Sequence, residues 1–244
     1  MGFKSLLGIK KHQWKRTVNK YIVKTKAAFP QYPWDDFYRI TEYFQGRGLS
    51  SLPERAFLFR LCHDLHANAK IVEIGSWIGE SSCLLASGLK GEDAKLYAID
   101  NFKGQASDPS ARMRYQERMS RLKINNTKEI FDKNIAHFNL SSKVEAIAAD
   151  SQEAAKSFRE PLHSIDLLFI DGDHSEDATK KDITTWMPFL KHGGTVVFHD
   201  FSSNHGVPQA IWWAIQQSYF SGLVGIYGTM IAFRASESIG KMEM

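Results

Sequence analysis

Short apolar runs alternate with amphipathic stretches along most of this chain. Polar residues or glycine bound the apolar runs, and this pattern is typical of buried strands. Five runs are predicted as strands, at residues 70–75, 95–100, 143–150, 165–171 and 194–200. Five amphipathic stretches are predicted as helices, at residues 51–67, 80–91, 131–139, 151–159 and 175–191.

Strands that alternate with helices favour a parallel sheet with helices on both faces. The end of the chain differs, because residues 223–235 hold two short apolar runs with little between them. That pattern predicts an antiparallel hairpin. The predicted fold class is α/β: a Rossmann-like, doubly wound, mostly parallel seven-stranded sheet with a C-terminal antiparallel hairpin, plus an N-terminal helical arm. We expect the arm and its connector to occupy residues 1–49 and the domain residues 50–244.

The positive charge of the chain is concentrated at its start. The formal net charge is +4, yet residues 1–34 hold eight Lys or Arg and no Asp or Glu, which leaves 23 basic and 27 acidic residues after them. Apolar residues recur at mostly helical spacing in residues 1–29 and predict a basic amphipathic helix. It either packs on the domain or a partner subunit, or makes weak peripheral contact with an anionic membrane surface. We expect a homo-oligomer. We expect no nucleic-acid partner, because the residues after the arm carry no net positive charge.

The composition is that of an ordinary globular protein, with 244 residues, 43% hydrophobic and 24% charged. Two cysteines, Cys62 and Cys83, are too few for a disulfide framework, so we expect buried thiols and a cytoplasmic location. No apolar run approaches the roughly 20 residues of a membrane span. The first residues lack the long apolar region of a signal peptide.

An acidic residue stands at or next to the end of each of the five predicted parallel strands. These residues are Glu73, Asp100, Asp150, Asp171 and Asp200. Each of them alone is explained as an ordinary loop acid. The carboxyl ends of parallel strands share one edge of the sheet, however, and open α/β folds bind their ligands there. Five acids at that edge indicate a binding site.

The loop after the first predicted strand has the sequence IVEIGSWIGESS, residues 71–82. Gly75 and Gly79 permit a tight turn and the close approach of a ligand. The helix that follows offers free N–H groups at its start. The spacing E-x-G-x-x-x-G differs from the G-x-G-x-x-G of dinucleotide sites, and Trp77 would crowd a pyrophosphate, so an NAD-dependent enzyme is disfavoured. Asp100 ends the second strand, where nucleotide-binding folds place an acid that binds ribose hydroxyls.

These segments together resemble the class I S-adenosylmethionine-dependent methyltransferases. Within that class the chain is similar to the small-molecule and sugar O-methyltransferases related to cephalosporin-hydroxylase-like and macrocin-type enzymes. The resemblance covers about residues 50–235 and is carried by VEIGSWIGESS, YAIDNFKG, AADSQEAA, LLFIDGDHSEDATKKDITTWMPFLKHGG and VVFHD. It implies S-adenosyl-L-methionine as cofactor and O-methylation of a hydroxyl on a sugar or another small-molecule acceptor.

The resemblance also assigns residues to parts of the cofactor. It implies that the methionine part is held by Glu73, Gly75, Ser76 and Gly79. It implies that Asp100 binds the ribose hydroxyls, with Asn101 and Phe102 beside it. It also implies that Asp150 and Ser151 lie at the adenine. Asp171 would face the end that bears the methyl group. A carboxylate-rich edge suits this cofactor, because its sulfonium is a cation.

A divalent cation is a further implication. Related metal-dependent O-methyltransferases place a carboxylate after the fourth strand and an acid-rich pair after the fifth. The corresponding ligands here are Asp171, His199 and Asp200, and neighbouring strands lie about 4.8 Å apart. An oxygen-only site would suit Mg²⁺. His199 departs from the pattern, and therefore either widens the choice to Mn²⁺, Fe²⁺ or Zn²⁺ or is not a ligand.

Two residues after the fourth strand are candidate catalytic groups. Asp173 is our first choice for the general base, by its place in the D-G-D pattern, and His174 is the second because imidazole titrates near neutral pH. A simpler interpretation is a helix cap, in which Asp173 or Ser175 accepts from the start of the next helix. The plainest explanation for the acids and histidines is that the two strand ends meet water there.

Residues 101–125 are polar and Arg-rich, and we expect them to form either a lid over the acceptor or a surface excursion. Other functions remain open on the same fold: a metal-dependent hydroxylase-like enzyme, or a cofactor-binding module without catalysis. Nucleic-acid methylation is disfavoured, because no N/D-P-P-Y motif follows the fourth strand and no Pro-Cys nucleophile is present.

Overall fold

The computed structural model describes residues 29–104, 109–202 and 206–237. The basic amphipathic helix predicted for residues 1–29 lies almost wholly outside these ranges, and so do residues 105–108 of the predicted lid. In the part of the chain that is described, no helix has the length and apolar character needed to cross a membrane.

Seven strands and eight α-helices make up the described ranges. The strands are β1 (Lys70–Ile74), β2 (Lys95–Asp100), β3 (Val144–Ala148), β4 (Ile165–Ile170), β5 (Leu190–Phe198), β6 (Phe220–Tyr227) and β7 (Met230–Ala235). The helices are α1 (Trp34–Tyr43), α2 (Leu52–His63), α3 (Glu80–Gly88), α4 (Pro109–Leu122), α5 (Thr127–His137), α6 (Ser151–Lys156), α7 (Glu176–Trp186) and α8 (Val207–Gln216).

All seven strands join one sheet, in the order β3-β2-β1-β4-β5-β7-β6. Strands β1 to β5 pair in parallel, whereas β7 runs antiparallel to both β5 and β6. The chain starts at the centre of the sheet, winds outward to one edge and then crosses to the other. This order confirms the predicted Rossmann-like, doubly wound α/β fold with its C-terminal antiparallel hairpin.

Two hydrophobic clusters cover the two faces of the sheet, and β4 shows how they are built. Leu167 and Phe169 point into the cluster formed with α1, α2, α3 and α5. Leu168 and Ile170 point into the cluster formed with α7 and α8. Because successive side chains of a strand face opposite sides, a strand buried on both faces is a continuous apolar run.

Two helices lie where the sequence pattern did not predict them. Residues 29–37 were interpreted as a proline-broken connector, but α1 begins at Trp34, directly after Pro33. It buries Trp34, Phe37 and Ile40 against the domain, and this packing stabilises a short helix of modest propensity. In the predicted lid, α4 is a polar, Arg-rich helix with little apolar periodicity, which is why the sequence did not show it.

The strand register brings the candidate residues to one edge. Ile74 of β1 pairs with Ile170 of β4, which in turn pairs with Phe198 of β5. The residues that follow, Asp171 and His199, therefore leave the sheet side by side. The N–H of Asp171 still donates to the carbonyl of Ile74 at 2.8 Å, so the end of β4 is held by its neighbour.

Candidate active site at the strand ends

A cavity of about 1120 Å³ lies over the carboxyl ends of β1 to β5. Pockets that hold one drug-sized ligand usually measure about 300–1,000 Å³, so this one has room for two small molecules. Most of the predicted site residues line it: Gly75, Asp100, Asn101, Asp150, Ser151, Asp171, Asp173, His174, His199 and Asp200. Four others, Glu73, Ser76, Gly79 and Phe102, do not border it.

The loop after β1 is held by the carboxylate of Asp100. The N–H groups of Ser76 and Trp77 donate to its Oδ2 at 3.0 and 2.8 Å, and that of Phe102 donates to Oδ1 at 2.6 Å. Three of its roughly four acceptor positions are thus filled by backbone. Burial raises the pKa of Asp100, although these hydrogen bonds act to lower it. Asp100 also lines the cavity.

Glu73 supports this loop from beneath. Its side chain is fully buried, and its Oε2 accepts from the hydroxyl of Ser76 at 3.0 Å and from that of Ser82. Within the described ranges, its other oxygen has no hydrogen-bond partner. Burial raises the pKa of Glu73 to about 7, although the serine hydroxyls oppose the shift. The predicted contact of Glu73 and Ser76 with a methionine group is therefore indirect, through the loop that they brace.

Glu73 should make the stability of the protein depend on pH. Its pKa rises from 4.5 to about 7 on folding, so its contribution is fully present below pH 4.5 and is lost as the pH rises through 7. Glu73→Gln stays neutral, and we expect its stability relative to the wild type to increase from pH 5 to pH 8 by at most about 3 kcal/mol. Urea denaturation of both proteins at the two pH values measures this.

Glu129→Gln is the control, because Glu129 is an exposed residue of α5 that pairs with Lys133. Its stability difference from the wild type should change little over this interval, since an exposed ion pair contributes little. Parallel pH profiles for the wild type and Glu73→Gln would show that Glu73 is ionised in the folded protein at every pH tested.

Gly79 and Phe102 face the core. Gly79 has φ +86° and directly precedes α3, and a Cβ there would lie 3.0 Å from the ring of Phe131. The ring of Phe102 packs edge-on against the same Phe131 at 5.3 Å. These two residues shape the loops, and any contact they make with a ligand would be through the backbone.

The corner after β3 carries amide and carboxyl groups. Asn101 donates to Asp150 at 3.0 Å, and the hydroxyl of Ser151 accepts from Trp186 at 2.8 Å. All but Trp186 line the cavity. Asp150 and Ser151 thus lie together, as the resemblance implies for an adenine site.

Two further residues of this corner escaped the sequence analysis. Gln152 and Asp182 both line the cavity, and the amide of Gln152 donates to Asp182 at 3.0 Å. Burial raises the pKa of Asp182 to about 6. Asp182 lies in mid-helix in α7 and looked like one more solvated charge, so no sequence signal pointed to it.

Asp171, His174, His199 and Asp200 form one cluster, called here the acid–histidine cluster. Nδ1 of His199 lies 3.2 Å from Asp171 Oδ1, and Nδ1 of His174 lies 3.2 Å from Asp200 Oδ2. Nε2 of His174 lies 3.5 Å from Asp171. Two carboxylates and two imidazoles therefore alternate in space, and their charges can balance.

Electrostatics within the cluster keep both carboxylates ionised. Burial alone would raise the pKa of Asp171, but His199 and His174 lower it to about 2. Burial alone would lower the pKa of His199, but Asp171 and Asp200 raise it well above its ordinary value. Asp171 and Asp200 therefore favour the charged form of His199.

Glu54 of α2 lies behind His199. Its Oε1 is 3.9 Å from Nε2 of His199 and accepts from the N–H and the hydroxyl of Thr229 at 2.6 and 2.7 Å. Its Oε2 accepts from the N–H of Ser51 at 2.6 Å, which completes the cap of α2. In the sequence, Glu54 stood out only as a residue in the first turn of a helix, so its approach to the site was not predicted.

Asp173 borders the cavity and also orders the start of α7. Its Oδ1 accepts from the N–H of Ser175 at 2.9 Å, and the hydroxyl of Ser175 accepts from the N–H of Ala178 at 3.3 Å. The predicted cap by Ser175 is thus present.

Three of the cluster residues have the spacing of metal ligands. Atoms of Asp171, His174 and Asp200 lie within 4.8 Å of one another, and this is the group that the described residues offer for an ion. His199, which was predicted as a ligand, lies outside it. Its Nδ1 nevertheless lies 3.2 Å from Asp171 Oδ1.

Helix α4 forms the opposite wall of the cavity. It contributes Arg112, Tyr115, Glu117, Arg118 and Arg121. The ring of Tyr115 lies 4.9 Å from that of Trp77, which connects α4 to the loop after β1. Helix α4, in the segment predicted as a lid, therefore borders the cavity.

Comparison with known proteins fits this architecture. A family model described as a methyltransferase domain matches residues 72–201. TomG from Streptomyces achromogenes, an O-methyltransferase involved in tomaymycin synthesis and solved with S-adenosylmethionine, superposes with a TM-score of 0.60 at 16% identity, over 89% of this chain and 96% of its own. An O-methyltransferase from Bacillus cereus solved with S-adenosylhomocysteine gives 0.58 at 17% identity, over 87% and 96%.

A third similar structure is a SAM-dependent O-methyltransferase from Thermotoga maritima. Its TM-score is 0.56 at 15% identity, over 81% of this chain and 71% of its own. At identities this low, the likeness of all three structures shows the fold.

Proposed function

This chain belongs to the methyltransferase-domain family, and we propose that its strand-end site transfers a methyl group from S-adenosyl-L-methionine to a hydroxyl oxygen of a small acceptor. The observation that carries the proposal is the acid–histidine cluster at the edge of the cavity. It holds two ionised carboxylates where a cationic methyl donor and a proton-releasing hydroxyl would meet. We expect the acceptor to be a sugar or another hydroxylated small molecule.

The lining residues fit the cofactor. Gly75 and Asp100 border the cavity at the end that would hold the methionine and ribose parts, and Asp150 and Ser151 border it where adenine would lie. Asp171 follows β4, on the other side of β1 from Asp100 and Asp150, and its negative charge suits a sulfonium. The cofactor supplies the methyl group, and all other steps depend on side chains of the chain itself.

Those side chains would take one proton from the acceptor hydroxyl. As the bond from the acceptor oxygen to the methyl carbon forms and the sulfur–carbon bond breaks, the hydroxyl proton must leave. Asp173 and His174 both border the cavity, and either the carboxylate of Asp173 or the neutral imidazole of His174 would accept it. We keep Asp173 as the first choice and His174 as the second. Most of the rate enhancement would come from positioning donor and acceptor.

A divalent cation fits the same edge. Asp171, His174 and Asp200 would hold it, and two carboxylates with one imidazole suit Mg²⁺ or Mn²⁺, Fe²⁺ or Zn²⁺. It would lower the pKa of the acceptor hydroxyl. With the ion bound, His174 would be a ligand and the base would be Asp173.

The remaining expectations complete the proposal. Residues 50–244 form the methyltransferase domain, residues 101–125 its lid, and residues 1–49 an arm with a connector. A cytoplasmic location is supported by Cys62 and Cys83, which are buried free thiols.

A methyl-transfer assay with the metal removed and returned tests the proposed function. Purified protein is incubated with methyl-labelled S-adenosylmethionine and a panel of sugars, sugar acids and catechols, as prepared, after chelation, and after return of Mg²⁺, Mn²⁺ or Zn²⁺. We expect label in an alkali-stable methyl ether. Loss of at least about tenfold on chelation, reversed by one cation, would assign the metal to Asp171, His174 and Asp200.

Two other outcomes are informative. Transfer that survives chelation would leave the acid–histidine cluster to act without metal. Cofactor binding with no transfer to any hydroxyl would contradict the proposal and favour a hydroxylase-like enzyme or a non-catalytic module.

A further inference from the structure

The two walls of the cavity differ in charge. The strand-end wall carries Asp171, Asp173 and Asp200 beside His174 and His199, whereas the described side chains of the α4 wall include Arg112, Arg118 and Arg121 with one acid, Glu117. A cationic methyl donor is attracted to the first wall. The second wall attracts anions, and the proposed chemistry at the strand ends does not use it.

Arg118 is held in place at the edge of this wall. Its Nη2 donates to the carbonyl of Arg47 at 2.8 Å and to that of Gly48. Its Nε is buried and has no hydrogen-bond partner in the described ranges. Two backbone carbonyls fix the position of the guanidinium, and its charge interacts with those of Arg121 and Glu80.

Arg121 adds a second charge one turn along the helix. The side chain is exposed and borders the cavity, and its charge lies near that of Arg118. Among the residues that the structure describes, no carboxylate forms an ion pair with either arginine. Glu80 also acts on Arg118 but is already paired with Arg55, so the charges of Arg118 and Arg121 still repel each other, and a bound anion would relieve this repulsion.

We propose that the acceptor carries a carboxylate or a phosphate, and that Arg118 and Arg121 bind this group while the hydroxyl to be methylated faces the acid–histidine cluster. The inference rests on the proposed function and names its class of acceptor. Arg121 can bind either anion through paired hydrogen bonds, so a carboxylate and a phosphate would be recognised in the same way. Arg118 would contribute mainly its positive charge, because its Nη2 is occupied by two carbonyls and its Nε is buried. Tyr115, on the same wall, offers a ring against which a sugar or an aromatic acceptor can pack.

The carboxylate of the cofactor itself is the competing source of the same chemistry. If the arginines bound it, they would contribute to the affinity for S-adenosylhomocysteine but not for 5′-methylthioadenosine, which lacks the amino-acid part. The two ligands therefore distinguish a cofactor role from an acceptor role.

Calorimetry on full-length protein saturated with S-adenosylhomocysteine tests the proposal. The probes are D-glucuronate, D-glucose 6-phosphate and the neutral methyl β-D-glucoside, all at low salt. We expect at least one anion to bind about tenfold more tightly than the neutral glucoside. Arg121→Gln should weaken that anion about fivefold and leave the affinity for S-adenosylhomocysteine unchanged within about twofold.

Two variants serve as matched controls. Glu117→Gln removes a negative charge from the same wall and should strengthen anion binding. Lys123→Gln removes a positive charge just beyond α4, outside the cavity lining, and should change nothing. Arg118 is left intact, because its contacts with the backbone also hold α4 in place.

Either of two results would overturn the inference. One is that neither anion binds more tightly than the neutral glucoside, including the case in which none of the probes binds. The other is that Arg121→Gln weakens S-adenosylhomocysteine but not 5′-methylthioadenosine. If the wild type bound no S-adenosylhomocysteine at all, the proposed function itself would fail, so the two failures are distinguishable.

Discussion

Replacing Gly75 by alanine should destabilise the protein by about 3 to 5 kcal/mol, as the sum of strain at positive φ and overpacking against backbone. Gly75 has φ +87°, and a Cβ there would lie 2.0 Å from the carbonyl oxygen of Asp171 and 2.9 Å from the Cα of Gly172. These atoms belong to the backbone at the end of β4 and cannot turn away. Either the ends of β1 and β4 separate or the loop is rebuilt, and the site is lost in both cases.

Gly193→Ala is the control for this prediction. Gly193 has a similar φ of +69°, but a Cβ there would meet nothing within 4 Å, so the variant carries the backbone strain without the collision. We expect a loss of about 1 kcal/mol. Urea denaturation of both variants measures the difference. Equal stability of Gly75→Ala and Gly193→Ala would mean that β1 and β4 are not as close at the site as described.

Asp171→Asn should lower methyl transfer by about 10²- to 10³-fold, the usual cost of losing one preorganised electrostatic contact at a reacting centre. Asp171 is kept ionised by His199 at 3.2 Å and by His174 at 3.5 Å. The amide has nearly the same shape but no charge, so it can neither stabilise the sulfonium nor balance the two imidazoles. Turnover is measured with the best acceptor from the panel, and binding by calorimetry with S-adenosylhomocysteine.

The uncharged product separates this effect from a folding defect. S-adenosylhomocysteine lacks the sulfonium, so its affinity should fall by less than about tenfold in Asp171→Asn. Asp177→Asn removes a carboxylate from the exposed first turn of α7, outside the cavity lining, and should retain full activity. Wild-type turnover in Asp171→Asn would show that the charge at this position takes no part in the reaction.

The sheet could be predicted from the sequence because its strands are short and buried on both faces. In β4, the apolar run LLFI after Asp166 indicates burial on both faces, and Asp171 after it marks the end of the strand. The shared edge of parallel strands then fixes which loops meet. Asp100, Asp150, Asp171 and Asp200 lie around one cavity for that reason.

Contacts between distant segments could not be predicted in this way. Glu54 lies near His199 because α2 packs beside the β6–β7 hairpin, and nothing in its local sequence indicates this. Arg118 binds the carbonyl of Arg47, 71 residues away. The orientation of side chains within a loop also cannot be predicted from the pattern. Glu73 and Phe102 are next to cavity-lining residues in sequence but turn into the interior.

Amide hydrogen exchange with and without S-adenosylhomocysteine tests the central claim most directly, because it reports both binding and its location. The account predicts slower exchange in peptides that cover residues 75–79, 100–104 and 149–153, the three loops that border the cofactor end of the cavity. It predicts no change in β6, at the far edge of the sheet. Unchanged exchange in those three loops at saturating ligand, or protection confined to another region, would contradict the placement of the cofactor at the strand ends.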